Sequence, residues 1–122
     1  MSQAISTPKN RPVDTPTEEV LDSEGEISET LAALDDPDCR AVLEATGAES
    51  LSAKEIVDHC EIPSSTAYRK IDRLVDIGLL QEQIRVRSSG NHTHEYRRSV
   101  DHVGLTLGDD GTELRVVRRT DA

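Results

Sequence analysis

Phenylalanine and tryptophan are absent from this chain, and tyrosine occurs twice. With hydrophobic residues at 34%, the core must be aliphatic and small, built from Leu, Ile, Val and Ala. No apolar run approaches the roughly 18 residues of a membrane span. The N-terminus lacks the basic start and apolar stretch of a secretory signal. These absences predict a soluble, cytoplasmic protein with no membrane partner. Two cysteines are too few for a disulfide scaffold. There is no G-x-S-x-G, no phosphate-cradling glycine loop and no zinc-protease helix. The carboxylates fall in tail, turns and helix faces, with no concentration that suggests an acid/base pair. No enzyme, no catalytic residue and no cofactor is therefore expected.

What is abundant is negative charge, at a formal net of -10 over 122 residues. It is unevenly placed. Residues 1–38 hold two basic and ten acidic groups, residues 39–99 nine of each, and residues 100–122 three basic and five acidic. Within the middle block, residues 62–98 carry seven basic and four acidic groups, a local net of +3. A large excess of Asp and Glu over three lysines, with almost no large aromatics, resembles the composition of proteins from extreme halophiles. There, carboxylates keep the surface hydrated in concentrated salt.

The chain divides at about residue 26. Residues 1–26 mix Ser, Thr, Pro, Asp and Glu with few apolar side chains. Such a segment cannot bury enough surface to offset its ordering entropy, so a disordered acidic tail is predicted, followed by one domain over 27–122. From Ile27 the spacing turns helical through Leu31 and Leu34. Asp36-Pro37 reads as the cap and first residue of a second helix, with Cys39, Val42, Leu43 and Thr46 on its inner face and Gly47 at its end. Ser52-Ala-Lys-Glu55 is a capping box for a third helix, with Ile56, Val57 and Cys60 inward. Pro63 forces a break, and Ser64 or Ser65 can cap a fourth helix. On that helix Ala67, Ile71, Leu74, Val75 and Gly78 share one face. Ser65, Thr66, Arg69, Arg73 and Asp76 lie opposite, with Lys70 on one flank and Tyr68 and Asp72 on the other. Beyond Gly78 the period changes to alternation. Strands are predicted around Ile84–Val86, Glu95–Val100, Val103–Leu107 and Leu114–Val116, with turns at Ser88–Thr93 and Gly108–Gly111. The predicted class is α+β: three or four helices, then an antiparallel hairpin and C-terminal strands.

The run "SAKEIVDHCEIPSSTAYRKIDRLVDIGLL" and the basic hairpin "IRVRSSGNHTHEYRR" resemble the winged helix-turn-helix transcription regulators, in particular the ArsR-like regulators of archaea. The resemblance covers roughly residues 28–100. It implies that helix 64–77 lies in the major groove of double-stranded DNA and that the wing, residues 84–98, contacts the backbone or the minor groove. Past Val100 the chain departs from the metal-sensing members, which usually end in a further helix that helps them dimerise; here the tail is strand-like. The residue chemistry points the same way. The major groove admits one α-helix, whose outer side chains read base edges. Arg pairs with guanine, and Ser and Thr bond phosphate or base. The candidate DNA contacts are Ser64, Ser65, Thr66, Tyr68, Arg69, Lys70 and Arg73 on the helix. On the wing they are Arg85, Arg87, Asn91, His92, His94, Arg97 and Arg98. A solvated helix face or a charged strand surface is the plain alternative for the arginines. His92 and His94 form an H-x-H pair, but a metal site needs three or four ligands and Glu95 should point to the other face, so no metal is expected. Cys39 and Cys60 read as small buried thiols. Two functions are in play. One is a sequence-specific DNA-binding regulator, expected as a homodimer because operators are commonly two-fold. The other is a winged-helix module docking on another protein of the transcription machinery. Neither an effector nor an operator can be named from the chain.

Overall fold

Asp36 and Pro37 divide the run from Glu24 to Ala45 into two helices. The computed structural model describes residues 17–86 and 88–119. In chain order the elements are β1 (Thr17–Leu21), α1 (Glu24–Asp35), α2 (Pro37–Ala45), β2 (Leu51–Ser52), α3 (Ala53–Cys60), α4 (Ser64–Asp76), β3 (Leu80–Val86), β4 (His92–Arg98), β5 (Val100–Gly108) and β6 (Gly111–Arg118).

The helix ends follow local chemistry. Asp36 accepts the Asp38 N–H at 2.9 Å, with Pro37 at the first helical position where its missing N–H is no loss. The capping box forms in both directions: Ser52 Oγ accepts from Glu55 N at 3.2 Å, and Glu55 Oε1 accepts from Ser52 N at 2.8 Å. α4 ends in a Schellman turn. Leu79 N–H donates to Leu74 O at 2.9 Å and Gly78 N–H to Val75 O at 3.0 Å. Gly78 adopts φ +83°, a conformation that a side chain would strain.

Two local expectations are corrected. Neither Ser64 nor Ser65 caps α4, because the helix starts directly after Pro63 and no side chain bonds its end. Both serines therefore lie in the first turn. The chain reversal between α3 and α4 is also made two residues before Pro63. Glu61 sits in the left-handed region at φ 56°, its N–H bonded to Val57 O at 2.9 Å.

A larger correction concerns the acidic tail. Residues 17–21 form a strand and residues 24–35 a helix capped by Ser23, so order begins well before Ile27. The physical reason lies about a hundred residues away in the chain. β1 pairs with β6 in register Thr17↔Arg118 to Leu21↔Leu114, and Glu18 and Glu19 bind Arg115 and Arg118. Local composition cannot register those partners. Residues 1–16 lie outside the described residues. They contain a single acidic group, Asp14, against Lys9 and Arg11. Most of the predicted tail's acidity thus sits on β1 and α1.

The strands make two antiparallel three-stranded sheets, ordered β2-β4-β3 and β1-β6-β5. The core is aliphatic, as the composition requires. Val42, Ile56, Ile71, Leu74 and Leu79 are fully or almost fully buried in one cluster, joined by Cys39 and Tyr96. Burial pushes the thiols of Cys39 and Cys60 above the ordinary thiol range. The second sheet is tied to the end of α4. Gly78 O accepts from Ser99 Oγ at 2.8 Å and from Arg118 Nη1, and Ser99 N–H donates to Leu79 O at 3.0 Å. Arg119 Nη1 adds a bond to Gly47 O at 2.7 Å. Helices α2, α3 and α4, followed by the β3–β4 hairpin on the short strand β2, constitute a winged helix-turn-helix.

Candidate nucleic-acid interface

Burial of Ala67, Ile71 and Leu74 sets the rotation of α4. It leaves Ser64, Ser65, Tyr68, Arg69, Asp72 and Asp76 in solvent, with Thr66, Lys70 and Arg73 half-buried along one flank. The first-turn N–H groups have no intrahelical acceptor, so this end of the helix is favourable for an anion. Arg69 and Arg73 have no hydrogen-bond or ion-pair partner among the described residues. Asp72 and Asp76 alternate with them at helical spacing, so this stretch of the exposed face is electrically balanced.

Other candidates have partners within the protein, Arg85 while still about half exposed. Lys70 Nζ pairs with Asp36 Oδ2, bracing α4 against the cap of α2. That hydrogen bond holds the Asp36 carboxyl below its ordinary value, against the opposing effect of burial. Arg85 Nη2 pairs with Glu95 Oε2 at 2.7 Å, and Glu95 is buried at 3% exposure. The register Gln83↔Glu95 and Arg85↔Thr93 puts these groups on the face opposite Tyr96. There Arg85, Glu95 and Arg97 line an open cleft of about 460 Å³ with Gln83 and Ser50. Arg98 stands at the base of the wing, opposite Leu80 rather than near the loop. Its guanidinium donates to Leu43 O at 3.3 Å and lies 3.8 Å from Asp101 Oδ1. It is packed so tightly on Gly47 that a Cβ there would meet Nη1 at 2.7 Å. The arginines at 97 and 98 therefore do not flank the wing loop, as their position in sequence suggests. Seven residues of β4 separate that loop from the strand's other end.

His92 and His94 do share a face, with Glu95 on the other, as alternation requires. His94 Nδ1 lies 2.8 Å from Glu82 Oε2, and Tyr96 Oη donates to the same oxygen at 3.2 Å. Burial, then the Glu82 charge, pushes the Tyr96 hydroxyl up to about 12. These groups look across a cleft of about 610 Å³ toward Tyr68 of α4 and Lys54 of α3. The tertiary structure thus brings Tyr68, His92 and His94 to one cleft between wing and helix. Lys54 is an addition that sequence reasoning missed. It is the third residue of the capping-box quartet, and only the packing of α3 against the wing shows that it faces this cleft. Asn91 is exposed in the wing loop. Arg87 lies outside the described residues.

The class set by this geometry is a helix-turn-helix module with an open second helix and a wing beside it. A family model described as a helix-turn-helix domain matches residues 34–83, from the last turn of α1 into β3. No curated protein matches the chain. No helix among the described residues is long and apolar enough to cross a membrane.

Proposed function

We propose that the protein is a sequence-specific transcription regulator that binds double-stranded DNA with α4 in the major groove and the wing alongside. The observation that carries the reading is the outward face of α4. Ser64, Ser65, Tyr68 and Arg69 stand free on a helix whose opposite face is locked into the core. Arg69 supplies base readout, and the two serines and the helix N-terminus receive phosphate. Lys54, His92, His94 and Asn91 extend the contact across the cleft and the wing tip. Lys70 and Arg98 pair with Asp36 and Asp101, both outside residues 62–98, so the local net of +3 overstates the charge offered to DNA.

The ArsR-like character and an archaeal, halophilic, cytoplasmic setting rest on the quoted motifs and the acidic composition. A homodimer fits a small module with few contacts of its own. Selection from a random-sequence duplex pool, at a salt where the protein is folded, tests the reading. Recovery of a consensus whose binding drops with Arg69→Ala supports it. Failure to enrich any sequence refutes it and favours the other reading, a protein-docking module, which the balanced charge of Arg69, Arg73, Asp72 and Asp76 would suit.

A further inference from the structure

The sheet β1-β6-β5 has no counterpart in the helix-turn-helix motif itself, and one of its edges is unguarded. Natural sheets protect their edges with charge, proline or shortness. β1 carries Glu18 and Glu19, β3 carries Glu82 and Arg85, and β2 is two residues long. The edge strand β5 has none of these over Val103-Gly-Leu-Thr-Leu-Gly108. Its leucines are also left outside the core. Leu105 pairs with buried Leu114 and so shares its face, yet is 48% exposed, and Leu107, one step further out, is 77% exposed.

We propose that this edge is the seam of a homodimer, two copies pairing antiparallel along β5 about a two-fold axis at Thr106. The self-complementarity of the strand selects the second copy as occupant and Thr106 as the centre. In that register Leu105 faces Leu107 of the second copy and Gly104 faces its Gly108. Thr106 faces Thr106, a favourable cross-strand pair. A centre one residue earlier, at Leu105, instead sets Gly104 against Thr106 and Leu107 against Val103, losing the Gly104–Gly108 and Leu105–Leu107 matches. The chosen register buries four leucines on one face and joins two three-stranded sheets into one of six. Because Gly78 O is bonded to Ser99 and Arg118, the dimer axis is connected through β5 and β6 to the end of α4. The seam therefore sets the distance between two recognition helices. That use of it rests on the DNA-binding reading, whereas the seam itself does not.

The test is made on the full chain without DNA, so its failure is separable from failure to bind DNA. Light scattering should give a dimer for the wild type and a monomer for Leu105→Lys combined with Leu107→Lys, with a cooperative melt retained because both side chains are largely outside the core. Thr106→Cys should form a covalent dimer with oxidised glutathione, which is reduced to two glutathione thiols as the disulfide forms. Facing residues of an antiparallel pair sit about 4.5–5.5 Å apart at Cα, within disulfide reach. Leu107→Cys should not cross-link, since the two copies of residue 107 are offset along the strands. A monomeric wild type overturns the proposal, as does a dimer that survives the double lysine substitution. A dimer in which Thr106→Cys stays uncross-linked while Leu107→Cys links overturns the register.

Discussion

Lys70→Met and Arg69→Ala are neighbouring changes that should have opposite consequences. Lys70 links α4 to Asp36, the cap of α2, and the side chains are 16% and 18% exposed. Exposed pairs contribute about 0–1 kcal/mol, whereas removing one partner of a fully buried pair costs about 3–5 kcal/mol. This pair lies between those limits, and Asp36 keeps its bond from the Asp38 N–H. A loss of about 1–2 kcal/mol follows. In a domain of this size each kcal/mol moves Tm by about 4–8 °C, so Lys70→Met should melt roughly 5–15 °C lower. Its DNA affinity, measured where it is fully folded, should change less than about twofold, because the Lys70 ammonium is directed at Asp36 and not outward, and the charge left behind is screened by salt. Arg69→Ala removes no interaction within the fold and should leave Tm within about 1 °C. It should weaken operator binding by about 1–3 kcal/mol, roughly 5- to 150-fold, and relax preference at one base position. Thermal melts and fluorescence anisotropy on the same preparations read both axes. If Lys70→Met keeps its Tm and loses affinity as Arg69→Ala does, the ion pair is not formed in solution and Lys70 belongs to the DNA contact.

Glu61→Gly should raise stability by about 0.5–1 kcal/mol in a denaturant melt, since glycine adopts φ 56° without the left-handed strain of a side chain; a lower midpoint would show that the glutamate has a compensating contact. Arg85→Ala should cost about 1–3 kcal/mol and lower the protection of wing amides from exchange, because it withdraws a partner from the buried Glu95 carboxylate; unchanged protection would return Arg85 to the list of free surface cations. The Asp36 carboxyl is lowered from 3.8 by Lys70, so the stability it contributes is complete above that value and is lost as pH falls through the lowered one. Stability measured from pH 6 downward should drop below about pH 4 in the wild type, and the part due to this pair should be missing in Lys70→Met. Equal acid sensitivity in the two proteins would remove Asp36 as the cause.

Sequence by itself determined whatever depends on neighbours along the chain. The Asp36-Pro37 helix start, the Ser52–Glu55 capping box, the inner face of α4 through Ala67, Ile71 and Leu74, and the glycine that ends that helix are all short-range chemistry. So is the alternation that places His92 and His94 on one face and Glu95 on the other. These local rules carried the order of the four helices and the later strands, but not β1 or β2; the winged helix-turn-helix class rested on the resemblance of the quoted motifs. Tertiary structure decided which charges are free. Lys70 and Asp36 are 34 residues apart, Arg98 and Leu43 are 55 apart, and Glu18 and Arg115 are 97 apart. No periodicity within a helix or strand can show such partners. For the same reason residues 17–26 read as tail until β6 is present to pair with β1. A charged side chain has the same identity in sequence whether it meets solvent, DNA or a carboxylate from a distant segment. Only the packed chain sets the distance, and at these separations the distance decides the role.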